Sequence, residues 1–368
     1  MYSPQERNDK LVRATDLDAL SCRHSINEKS YLAPKDDFIR DLIRSYESNL
    51  RWCESYTAMS AARTVRGAFK ENKLPLINRG TFLRTVSVTE IISKFIKEFN
   101  GKCQLVSLGS GSDTRFFGLL KDYPSVVFHE IDFPESARIK KLGILNSQRL
   151  RRVVGVNEEM EPVAPVITSK EEFAAYDAEI HTSNYHLHGM DVREITADTP
   201  ITGLDMTKPT LVISECVLCY LSPTEYEQTI KSWAARAKNV TGFVIYEPMS
   251  LNDQFGETMF HNLLARGLNL QTLKKYPSLE SRYACMTELG LDNLHLTDLS
   301  KVGRYGHAAD GSEKSIIPES EIKRINALEF IDEVEELKLL LSHYCLCYGE
   351  TRSGDECPSF SSVNDWNW

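Results

Sequence analysis

The sequence predicts an α/β fold, a mostly parallel, doubly wound sheet preceded by a helical segment, and three observations carry that prediction. The apolar run Leu105-Val106-Ser107-Leu108 enters a glycine-rich turn, Gly109-Ser110-Gly111-Ser112-Asp113, and then a stretch of helical character, the junction at which doubly wound sheets hold their ligands. A second apolar run, Val126-Val127-Phe128-His129-Glu130-Ile131-Asp132, ends in an acid. Near-continuous apolar runs at 210–213 and 242–246 read as central parallel strands buried on both faces.

The remaining elements follow in order. Residues 15–70 read as helical, starting near Thr15-Asp16-Leu17-Asp18, where an N-cap and early acids are both available. Within them Phe38, Ile39, Leu42, Ile43, Tyr46, Leu50 and Trp52 recur at rough helical spacing. Residues 75–84 read as a loop leading into a helix through Ile91, Ile92 and Phe95. Residues 134–150 look helical, 151–175 look like an exposed insertion, and a third strand is expected at 185–190. Ser222-Pro223-Thr224-Glu225 supplies a serine N-cap and a proline at the first helical position for a helix to Ala237. Helices at 253–266 and 318–340 and an antiparallel pair of edge strands at 291–296 and 343–348 complete the count, and the polar tail 351–368 is expected to be disordered. The domain reading is therefore a helical cap and lead-in helix over 1–100 and an α/β domain over 101–350, forming one compact domain.

Composition narrows the function. A net charge of −9 disfavours non-specific binding to phosphate backbones, so no nucleic-acid partner is expected. No run of about 18 apolar residues occurs and the first residues lack an apolar core, so a soluble cytoplasmic protein without membrane attachment is expected. Nine cysteines read as reduced core residues. Cys216, Cys219, Cys345 and Cys347 lie in hydrophobic segments without the turn residues of zinc knuckles, and His186 and His188 read as alternation along a strand. No metal is expected.

The glycine turn lets a ligand lie on the main chain. Thr114 stands where a dinucleotide fingerprint has its third glycine, while Asp132 suits both hydroxyls of a ribose. An adenosine without phosphates fits both facts, and S-adenosylmethionine is the common cofactor of that description. Gly109, Asp132, Asp191 and Glu215 fall at the ends of four strands, so they are expected to line one crevice.

Asp16-Leu17-Asp18-Ala19-Leu20-Ser21-Cys22-Arg23, Asn78-Arg79-Gly80-Thr81-Phe82-Leu83-Arg84 and Ile213-Ser214-Glu215-Cys216-Val217-Leu218-Cys219-Tyr220 resemble the leucine carboxyl methyltransferases. The resemblance runs from about residue 15 to about 350 and includes Ala327-Leu328-Glu329-Phe330-Ile331-Asp332-Glu333 and Ser342-His343-Tyr344-Cys345-Leu346-Cys347. It implies a class I S-adenosylmethionine-dependent methyltransferase, Rossmann-like, with a seven-stranded sheet. The implied activity is esterification of the C-terminal leucine of the type 2A protein phosphatase catalytic subunit, which regulates holoenzyme assembly. The resemblance also implies that Arg84, with Arg23 beside it, holds the methionine carboxylate of S-adenosylmethionine and that Gly109 lies against the cofactor. It gives the ribose to Asp132, adenine to Asp191 and the Val192 backbone, and the methionine amino group to Glu215. S-adenosylhomocysteine is the other product, and a monomer is expected.

A leucine carboxylate, with a pKa of about 3.5, is already ionised at neutral pH, so catalysis by alignment is expected, with no general base. Tyr220 and Tyr246, near the ends of the fourth and fifth strands, are the side chains expected to position the acceptor. Two other readings compete: a carboxyl methyltransferase acting on a wybutosine-type tRNA base, and a non-catalytic phosphatase-binding relative.

Overall fold

The structure is a computed structural model that describes residues 4–70, 72–156, 164–305 and 314–368. Eight strands form one sheet: β1 (Gln104–Leu108), β2 (Val127–Asp132), β3 (Ile180–His181), β4 (Tyr185–Gly189), β5 (Thr210–Glu215), β6 (Thr241–Pro248), β7 (Asp292–Asp298) and β8 (Tyr344–Thr351). Their order is β3-β4-β2-β1-β5-β6-β8-β7. β1, β5 and β6 run parallel, as do β2 and β4, whereas β8 is antiparallel to both β6 and β7. The expected antiparallel pair is therefore present, and the two-residue β3, antiparallel to β4, raises the expected seven strands to eight. It is too short to leave a hydrophobic pattern.

The chain divides into two compact units rather than one: residues 1–73, 109–194 and 201–204, and residues 74–108, 195–200 and 205–368. The expected boundary near residue 100 is not where the units part, because the lead-in helix belongs to the second.

In the first unit, α1 (Pro4–Glu28) runs straight through the expected start at Thr15, because Asp16 spends its carboxylate on a distant loop instead of a local cap. α2 (Ile39–Asn49) and α3 (Ala58–Lys70) follow. The glycine turn leads into α5 (Arg115–Asp122), and β2 into α6 (Pro134–Asn146), α4 being the lead-in helix of the second unit. α2 lies close on α6: a Cβ at Gly143 would sit 2.9 Å from Ser45 Cβ, and the Ser45 hydroxyl donates to the Ile139 carbonyl at 2.5 Å. Buried Glu130 of β2 accepts from Lys140 of α6 at 2.6 Å and from Tyr185 of β4 at 2.5 Å, tying three elements together. The expected insertion is partly helical, at Gln148–Val154 and Lys170–Ala175; its residues 157–163 lie outside the described residues.

In the second unit, α4 (Pro75–Glu98) starts at its proline, so no loop occupies 75–84; proline at the first helical position has no N–H to lose. Its apolar face, including Phe82, Leu83, Val88, Ile91, Ile92 and Phe95, is buried. Asn78 donates to Glu329 at 2.8 Å, and Arg79 reaches Tyr305 at 2.5 Å and the Ile325 carbonyl at 3.1 Å. These bonds give the Asn78-Arg79 motif a structural task; the helix expected over 318–340 is two, Glu319–Asn326 and Val334–Ser342.

The tail after Thr351 is not disordered. Phe360 and Val363 are fully buried, Phe360 packs edge-on against Phe95 of α4 at 5.3 Å, and Lys94 pairs with Asp365 at 3.0 Å. Two apolar side chains in a polar stretch are enough to anchor it.

Candidate active site

In the first unit the turn after β1 needs its glycines: Gly109 and Gly111 have φ of +57° and +43°, the left-handed region that L side chains avoid. Two carboxylates hold this turn. Asp132 Oδ2 accepts the Gly111 N–H at 2.6 Å and Oδ1 the Phe133 N–H at 2.7 Å. Asp16 Oδ1 accepts from the Ser112 N–H at 2.7 Å and its hydroxyl at 2.6 Å, while Oδ2 accepts from the Tyr46 hydroxyl. Burial, then the charge of Asp16, pushes the Asp132 carboxyl up to about 6.

Arg23 sits between two acids of the same unit, pairing with Asp113 and, at 3.5 Å, with Asp36. Burial opposes ionisation of Asp113, yet Arg115 and Arg23 hold its carboxyl well below the usual range. Arg23 lies in the first unit and Arg84 in the second. Asp191, after β4, is gripped by Arg193 at 2.5 Å, which also binds Asp9 at 2.8 Å. Val192 opens a short 3₁₀ helix, so its N–H has no partner within that helix.

In the second unit, β5 ends in Glu215, whose Oε1 accepts from Arg84 Nε at 2.5 Å; Arg84 Nη2 donates to the Glu215 carbonyl at 3.4 Å. The guanidinium lies 5.1 Å from the Tyr246 ring, and Tyr246 stacks on Tyr344 with centroids 5.6 Å apart. Burial pushes the Tyr246 phenol well up, so it stays a neutral donor. Cys216, immediately after Glu215, is held at φ +57°, a strained conformation of the kind that clusters at functional sites. Its thiol is pushed down by a hydrogen bond from Cys219, with Arg84 adding to the effect. Tyr220 packs, partly buried, against Phe260, Leu270 and Leu273.

Of the expected residues, the structure brings Gly109 and Asp132 to one turn, and Arg84, Glu215 and Tyr246 to one cluster. Sequence reasoning missed Asp16, Asp36, Arg193 and Tyr344. The donor set suits the expected ligand. Arg84 Nη1 makes no hydrogen bond among the described residues, leaving a guanidinium edge for a carboxylate. Each Asp132 oxygen accepts one N–H, leaving lone pairs for a diol. The buried Ser110 hydroxyl in the glycine turn has no hydrogen-bond partner among the described residues.

The sequence profile of the leucine carboxyl methyltransferase family matches residues 12–234. Leucine carboxyl methyltransferase 1 of Candida albicans is 53% identical, covering 100% of this chain and 99% of that protein. Its namesake in Debaryomyces hansenii is 51% identical, also over 100% and 99%. A solved O-methyltransferase family protein from Burkholderia thailandensis superposes with a TM-score of 0.43 at 12% identity, over 84% of this chain and 64% of that one. The fold is α/β, built on one eight-stranded sheet among the described residues, and the chain belongs to the leucine carboxyl methyltransferase family. It is a methyltransferase for carboxyl groups. Among the described residues no helix is long and apolar enough to cross a membrane.

Proposed function

We propose that this chain transfers the methyl group of S-adenosylmethionine to the C-terminal leucine carboxylate of the type 2A protein phosphatase catalytic subunit, releasing S-adenosylhomocysteine. The observation that carries the reading is the Arg84–Glu215 pair, in a chain whose whole length aligns with relatives named for this chemistry. A guanidinium with an open edge beside a carboxylate is complementary to the two charges of an α-amino acid. Arg84 takes the carboxylate of the methionine portion and Glu215 its ammonium. Asp132 accepts from the ribose hydroxyls, and the Val192 N–H and Asp191 meet the adenine.

When bound, S-adenosylmethionine supplies an electrophilic methyl carbon on a sulfonium. The protein's task is to hold the leucine carboxylate in line with that carbon and to keep water out. A carboxylate oxygen forms the new bond as the carbon–sulfur bond breaks, and no proton moves. Tyr246, with the Arg84 guanidinium over its ring and Tyr344 stacked on it, supports the guanidinium and presents a neutral hydroxyl for the acceptor.

The test is incubation with methyl-labelled S-adenosylmethionine and a type 2A phosphatase core, intact or lacking its terminal leucine. Label on the intact core alone, released as methanol by alkali, is the expected result. Cofactor binding without label on the core refutes the acceptor.

A further inference from the structure

We propose that Glu179, His181 and His188 form a binding site for a divalent transition-metal ion at the β3–β4 edge of the sheet, separate from the residues assigned to methyl transfer. One carboxylate and two imidazoles offer ligand atoms that all lie within 4.8 Å of one another, the donor set of a three-ligand zinc site.

Strand register brings the imidazoles together. His186 and His188 are two apart on β4 and so share a face; His181 of β3 pairs with His186, and so does His129 of β2. The His129 and His186 rings stack with centroids 4.6 Å apart, and His181 and His188 lie 5.1 Å apart. Each proposed ligand imidazole is backed by another ring: His188 Nε2 lies 3.2 Å from His129 Nδ1, and His181 Nδ1 lies 3.2 Å from His186 Nδ1. Ligand histidines are commonly held this way, one nitrogen on the ion and the other fixed by a neighbour. The remaining nitrogen of His181, Nε2, points at Glu179 Oε2, 2.7 Å away.

The fit requires little movement. Tetrahedral ligands about 2.0–2.2 Å from zinc are roughly 3.3 Å from one another. Glu179, 38% exposed, is the ligand that would move to close the gap, and the partial exposure of His181 and Glu179 would let water reach the ion. The ion would clamp β3, which is otherwise joined to β4 by two residue pairs.

The full-length protein, kept reduced, is titrated with Co²⁺. One equivalent should bind with visible d–d bands of a four-coordinate nitrogen–oxygen site, without thiolate charge-transfer bands, and Zn²⁺ should displace it and raise the thermal midpoint. Glu179→Gln and His181→Ala, both at partly exposed positions, should fold normally by circular dichroism yet bind at least about tenfold more weakly. Absence of the bands, thiolate bands in their place, or unchanged affinity in both variants overturns the proposal.

Discussion

Arg84 Nε donates a 2.5 Å hydrogen bond to Glu215, although the two residues are 131 positions apart. One comes from the middle of a long helix and the other from the tip of a central strand. Charges meeting this way stand at a strand end, where doubly wound sheets bind ligands, and the pair is complementary in charge to a zwitterion.

Arg84→Ala should raise the dissociation constant for S-adenosylmethionine at least tenfold, about 1.4 kcal/mol. Arg84→Lys should recover only part of the loss, since an ammonium cannot hold a carboxylate through two parallel bonds. Calorimetry measures both, and wild-type affinity in the alanine variant removes Arg84 from the site.

Asp132 makes stability depend on pH in a stated direction. Its carboxyl is raised from 3.8 to about 6 by burial and by Asp16, so across that window the folded chain keeps a proton the unfolded chain has released. The group's contribution is therefore most favourable below the unfolded value and is lost as pH rises through about 6, a swing on the order of 3 kcal/mol. Asp132→Asn does not titrate. Urea unfolding at about pH 4.5 and 7.5 should show the variant gaining on wild type at the higher pH, while its cofactor affinity falls.

Gly111→Ala forces a Cβ onto Asp16 Oδ1 at a φ of +43°. Asp16 cannot yield without losing Ser112 and Tyr46. The combined cost should be on the order of 3 kcal/mol, read by denaturant midpoint, with weakened cofactor binding.

Phe360→Ala should cost about 3–5 kcal/mol, because the ring is fully buried between Phe95 and Tyr348. A change under about 0.5 kcal/mol would mean the tail contributes nothing to the second unit.

The buried strands were legible because runs such as Leu211-Val212-Ile213 leave an unbroken apolar signal, and the acids at 132 and 215 stand where such runs stop. Other features were hidden by distance along the chain. Asp16 looks like a local cap at 15–18 and serves Ser112 instead, 96 residues away. Arg23 shows its charge in the sequence, but not that Asp36 and Asp113 claim it. The tail read as disordered because its composition is polar, and composition does not reveal that Phe360 and Val363 have a face of α4 to fill. Tyr220 and Tyr246 look equivalent at two strand ends in the sequence, which does not reveal that one packs against Phe260 and Leu270 and the other lies under a guanidinium.

β8 is the sole described partner of β7 and also closes β6. During synthesis, β6 and β7 must therefore wait with open hydrogen-bonding edges until residues 344–351 leave the ribosome. The second unit cannot finish folding domain-first as the chain emerges. A nascent chain arrested near residue 340 should be cut by protease within 292–298, a segment the completed protein holds in register against β8, so premature termination exposes sticky strand edges rather than a shortened enzyme.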